Sequence, residues 1–95
     1  MTVQEFAAVT YRVIRDGGFE SFIPTVVFPE RDHIVALEGV PPDVDIEAAT
    51  LNWVETKAQG SEEYLVAFKI SPMGFKIVRQ FQGSVEEAVF TIPEA

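Results

Sequence analysis

The chain has 95 residues, 47% of them hydrophobic and eight of them Phe, with 15 acids against 7 bases and a net charge of −8. That length and apolar content make a single domain, 1–95, with a core of its own, and exclude a disordered tail. The acidic balance argues against a nucleic-acid partner, which needs a basic face, and no apolar run approaches the roughly 18 residues of a membrane helix.

The segment TVQE opens the first helix. Thr2 caps the amide of Glu5, and the Glu5 side chain reaches back to Thr2, which is a capping box. At about 100° per residue, Val3, Phe6, Val9, Val13 and Ile14 fall on one broad apolar arc, and Gly17 supplies the left-handed residue that ends the helix.

A hairpin follows. Phe22, Val26 and Phe28 alternate, as do His33, Val35 and Leu37, and residues 29–32 suit the loop between them. Folding there opposes Phe28 to His33 and Val26 to Val35. Pro24 has no amide for a ladder bond, which predicts an edge strand. The second face, with Ile23, Thr25, Val27, Ile34, Ala36 and Glu38, is mixed. Pro41-Pro42 breaks the pattern. A second helix then begins at a cap on Asp43 or Asp45 and stops near Gly60, with its apolar residues split between two faces. A strand through 50–57 is the alternative.

The last third reads as a three-stranded meander near 63–70, 75–82 and 85–92. Counting from the turns opposes Ile70 to Phe75, Phe68 to Ile77 and Val66 to Arg79. A type II′ turn on Gly83-Ser84 opposes Ile77 to Phe90 and Phe75 to Ile92. One face then gathers Val66, Phe68, Ile70, Phe75, Ile77, Phe90 and Ile92. The expected fold is α+β, in the order α-β-β-α-β-β-β. It is a two-layer sandwich of about five mostly antiparallel strands with both helices packed on one face. The link through the second helix could give one parallel pair.

In this register Lys69 and Lys76 stand opposed on the outer face. They form either an anion or acidic-partner site, or a charged guard against pairing with other chains. Arg79 points to the apolar face at one end of the meander, where it can bury its stem and send its guanidinium to Glu86. His33, the single histidine, sits beside Glu30 and Asp32 at a hairpin end. A base or pH switch there lacks a nucleophile, and a metal site lacks further ligands, so a strand-end residue is the simpler reading. Asp43, Asp45 and Glu47 alternate like the first ligands of a calcium loop, but Ala48 and Val54 occupy its glycine and glutamate positions. Capping explains these acids instead. Gly17-Gly18 follows a helix and cradles no phosphate.

No catalytic constellation assembles, and no metal or cofactor is implied. Absence of cysteine removes disulfides and thiolate chemistry and fits a cytoplasmic protein, as does an N-terminus without a signal-peptide pattern. The expected function is a small acidic non-enzymatic module that binds another protein or a second copy of itself. Its interaction surface is Ile23, Val27, Ile34, Leu65, Val78 and Val89, with Lys69 and Lys76. One rival is a nucleic-acid-mimicking inhibitor of a basic protein that uses Glu30, Asp32, Asp43, Asp45, Glu47, Glu62 and Glu63. The other is a small-molecule binder or cryptic enzyme with an apolar pocket between helices and sheet.

Overall fold

The computed structural model describes residues 1–38, 45–58, 63–71 and 73–93. Its elements are α1 (Val3–Gly17), β1 (Thr25–Phe28), a single 3-10 turn (Pro29–Arg31), β2 (His33–Ala36), α2 (Ile46–Ala58), β3 (Tyr64–Ser71), β4 (Gly74–Phe81) and β5 (Ser84–Thr91). Two helices and a five-stranded, wholly antiparallel open sheet make an α+β fold in the expected order. No helix among the described residues is long and apolar enough to cross a membrane.

Local chemistry sets the helix ends. In the α1 capping box the Glu5 amide donates to Thr2 Oγ1, and the Thr2 amide to Glu5 Oε1, both at 3.0 Å. The bond from the Thr2 backbone, helped by its hydroxyl, holds the Glu5 carboxyl below its usual range. The positive-φ residue at the other end is Gly18 (φ 85°), one beyond the expected Gly17; its amide closes the helix on the Ile14 carbonyl. For α2, Asp45 is the cap, its Oδ1 accepting from the Ala48 amide at 3.1 Å. The other expected boundary residues, Asp43 and Gly60, lie outside the described residues.

The strand order is β2-β1-β3-β4-β5. The first hairpin has the expected register, Phe28 to His33 and Val26 to Val35. However, β1 is an inner strand, not an edge. Pro24 lies just before it, where no ladder donor is needed, and its carbonyl accepts from the Leu37 amide at 2.8 Å. The α2 connection carries the chain from β2 across β1 to β3, so no parallel neighbours arise.

The two helices do not share a face, which corrects the two-layer expectation. Val3, Phe6, Ala7 and Ile14 of α1 pack with Val27, Leu65, Ala67, Phe75 and Ile77. Val54 of α2 packs with Val26, Phe28, Tyr64, Val66, Phe68 and Val78 on the other side. The cause is visible in β3, whose first five residues, Tyr64 to Phe68, are all buried. A strand apolar at every position must be covered on both faces.

The meander register is also corrected. Phe68 opposes Lys76, not Ile77, and Val66 opposes Val78, not Arg79. Ser71 opposes Gly74 and Lys69 opposes Phe75, which leaves Ile70 as the extra residue of a bulge. A one-residue slip turns each β3 side chain to the other face. Val66 and Phe68 therefore meet α2, while Phe75, Ile77, Phe90 and Ile92 face α1, and Ile70 stands exposed. At the second turn Phe81 opposes Ser84, so the central pair is Gln82-Gly83. Both have positive φ, 52° and 83°, as a type I′ turn requires. This two-residue shift keeps the faces, with Phe75 now opposite Phe90 and Ile77 opposite Ala88. Tyr11 of α1 presents its ring edge-on to Phe75 (5.1 Å) and Phe90 (6.1 Å), which stack at 5.2 Å.

Candidate functional site: an apolar groove beside an open strand edge

The bulge separates the two lysines that the sequence pairs. Lys69 lies on the α1 side, where its Nζ donates to the Glu20 carbonyl at 3.0 Å and sits 5.0 Å from the Phe19 ring centre. Lys76 lies on the α2 side, its Nζ 2.7 Å from Glu47 and 3.2 Å from Glu87. The hydrogen bond to Glu47 raises the Lys76 pKa, with burial opposing it. They form no joint anion site.

Arg79 takes the face expected of it but gains a partner that sequence reasoning missed. Its Nε donates to Glu63 Oε2 at 2.8 Å and its Nη1 to Glu86 Oε1 at 2.9 Å. Burial lowers its pKa, yet these two carboxylates outweigh burial and the net shift is upward. Glu63 is a buried ion-pair member, its side chain 9% exposed, rather than part of an acidic surface.

The other acidic candidates are scattered. Asp45 caps α2 and Glu47 holds Lys76, while Glu30 and Asp32 are exposed on the β1–β2 turn. Asp43 and Glu62 lie outside the described residues. His33 is exposed at the start of β2.

Nor do the apolar candidates make one open face. Leu65 and Val27 are buried beneath α1 and Val78 beneath α2, while Val89 is exposed on β5 and Ile23 and Ile34 are exposed by the first hairpin. The helices lie on opposite faces, so no pocket separates a helix pair from a common sheet.

What the structure assembles instead is a groove of about 220 Å³ between α1 and the β1–β2 hairpin. Helix α1 packs mainly across β3, β4 and β5; Val27 of β1 is still buried against it, while Ile34 of β2 stands exposed on the same side. Met1, Val9 and Val13 line one wall, Thr25, Val27 and Ile34 the other, with Phe6 and Phe22 between. Of these, Ile34 is 67% and Val13 54% exposed. The helical arc carried this signal, because it is wider than one sheet contact fills. Its centre (Val3, Phe6, Ala7, Thr10, Ile14) is buried, and its flank (Val9, Val13) looks over the gap.

Behind the same strand, on the α2 side, lies a second groove of about 350 Å³ lined by Phe28, Arg31, His33, Val35, Trp53 and Lys57. The Arg31 guanidinium sits 5.0 Å from the Phe28 ring centre and donates to the Lys57 carbonyl at 3.3 Å. Lys57 Nζ lies 5.9 Å from the Trp53 ring centre. Strand β2 thus stands between two grooves, with no partner strand on its outer side among the described residues. Compared with known proteins, the chain matches no family model, no curated protein and no solved structure.

Proposed function

We propose that this protein is a non-enzymatic protein-interaction module of the cytoplasm that grips its partner through the groove between α1 and the β1–β2 hairpin. The observation that carries the reading is the cluster of large apolar side chains left in water there: Met1, Val9, Val13 and Ile34. Each is already partly buried, so completing its burial would gain about 1 kcal/mol, a fraction of the roughly 1.5–3 kcal/mol for a fully exposed side chain, and clustered exposure of this kind marks a contact surface rather than scattered surface chemistry. A groove of about 220 Å³ is small beside the usual small-molecule site of roughly 300–1,000 Å³.

The test is capture from host lysate with the wild-type chain and with a Val13→Glu/Ile34→Glu variant, at low and high salt. An apolar contact predicts a partner retained at high salt and lost from the variant. Equal capture by both chains sinks the reading. Light scattering behind a sizing column asks whether the partner is a second copy, and a strict monomer at high concentration removes that branch.

A further inference from the structure

Resting on the groove as the contact surface, we infer that its occupant is an extended peptide segment that adds to β2 as a sixth strand, apolar at alternate positions and flanked by Lys or Arg. The phase of the hydrogen bonds points to this mode. The Leu37 amide bonds to the Pro24 carbonyl. In an antiparallel pair bonded positions alternate, so Val35 and His33 also turn their backbone groups toward β1. Ile34 and Ala36 then direct theirs outward, to the open edge. These residues oppose Val27 and Thr25, so their side chains lie on the α1 side, beside the groove.

A strand docked on that edge bonds to Ile34 and Ala36, and its two directly opposed residues point the same way, into the groove over Val9 and Val13. The residue between them faces the second groove, against Val35 and Trp53. One short edge therefore reads backbone and both side-chain faces of an extended segment at once. Charge selects the flanks. Glu30 and Asp32 are exposed beyond one end of β2 and Glu38 beyond the other, on a chain of net charge −8. Basic residues on either side of the apolar positions complement those ends.

The experiment is a titration of the isotope-labelled full chain with the synthetic peptide KKVTVTVKK, read by amide shifts and by fluorescence anisotropy. Its companions are EEVTVTVEE, the same Lys-flanked peptide N-methylated at the central valine, and a Leu/Lys amphipathic helix. Saturable binding of KKVTVTVKK is expected, with the amides of Ile34 and Ala36 newly protected from exchange. Acidic flanks or N-methylation should weaken it by at least about tenfold. Ala36→Pro removes only an outward amide, which an edge strand tolerates, and should weaken binding equally in a chain that keeps its circular dichroism. If that variant unfolds, the N-methylated peptide makes the same test on the wild-type chain. Binding of the helix but not the strand peptide, with shifts in α1 and β2, overturns strand addition and leaves the groove standing. A dimer paired through β2 keeps strand addition but overturns the basic peptide as its occupant, in favour of a second copy. If neither peptide moves any α1 or β2 signal, both the inference and the groove fall.

Discussion

Replacing Arg79 with Met isolates the least expected contact in the fold. Seen from sequence, Arg79 is a rim residue sharing its charge with exposed Glu86, and its loss should be tolerated. The structure says otherwise, because Glu63 is 9% exposed while Glu86 is 60% exposed. The Glu86 arm is a surface pair worth about 0–1 kcal/mol. The Glu63 arm is buried, and stranding one member of such a pair costs about 3 kcal/mol or more. Arg79→Met should therefore destabilise the chain by about 3 kcal/mol, a large part of the roughly 5–15 kcal/mol that holds a domain together. At about 4–8 °C per kcal/mol for a domain of this size, the midpoint should fall by well over ~10 °C. Adding Glu63→Gln removes the unpaired charge, so the double variant should recover about 2 kcal/mol, whereas Glu86→Gln alone should cost less than about 1 kcal/mol. Urea unfolding followed by Trp53 fluorescence, at constant m, compares the parent with these three variants. If Arg79→Met stays within about 1 kcal/mol of the parent, or the double variant is no more stable than Arg79→Met, the buried pair has been misread.

Three further outcomes follow from side chains described above or beside them. The Thr50 hydroxyl is fully buried in α2 with no hydrogen-bond partner among the described residues, so Thr50→Val should raise stability by about 1 kcal/mol. Thr10, whose hydroxyl donates to the Phe6 carbonyl at 2.8 Å, should gain nothing from the same change; urea midpoints compare the two. Gln82 holds a positive φ in the β4–β5 turn, where Asn suits the turn type better, so Gln82→Asn should add a few tenths of a kcal/mol without moving the amide spectrum elsewhere. Stability should fall on the alkaline side. Hydrogen bonding to Glu47 raises Lys76, and burial raises Tyr64 with help from the Glu55 charge. In both cases the folded state holds its proton more tightly than the unfolded chain. Their contributions are complete below about pH 10 and disappear as the pH climbs through the raised values. Lys76→Met and Tyr64→Phe should each flatten that limb in urea titrations between about pH 9 and pH 11.

Much of the fold is legible where the signal is local. The Thr2-Glu5 box, the Asp45 cap and the β1–β2 register each depend on residues a few positions apart, and each forms as the spacing requires. What misleads is the assumption that one apolar face implies one covered face. Tyr64 to Phe68 is an unbroken apolar run, the mark of a strand buried on both sides. Forcing alternation on it places Val66 and Phe68 with Phe75 and Ile77. The Ile70 bulge has no comparable mark, since one extra residue near a turn leaves composition and periodicity unchanged. That single residue moves Lys69 away from Lys76 and so dissolves the basic site. The groove is half legible: Ile34 and Val27 are on the expected surface, but their companions Val9 and Val13 read only as part of the apolar arc of α1, because that arc alone cannot say how far the sheet extends beneath it.

The geometry of coverage explains why the groove lies where it does. A helix is about 10–12 Å wide and strands lie about 4.8 Å apart, so one helix shelters two or three strands of a five-stranded sheet. One helix on each face therefore leaves a bare end on each face. On the α2 side the bare strand is β5, and charge has been built beside it: Lys76 bridges Glu47 and Glu87, and Glu87 separates exposed Val85 from Val89. On the α1 side the bare strand is β2, and there Ile34 meets water beside Val9 and Val13 of α1, three apolar side chains that carry no charge. Topology alone predicts two similar bare ends. The chemistry of the two differs, since a bridged lysine and Glu87 interrupt the exposed valines at one and no charge interrupts the apolar side chains at the other, and that difference is the physical ground of the proposed contact through the α1 groove.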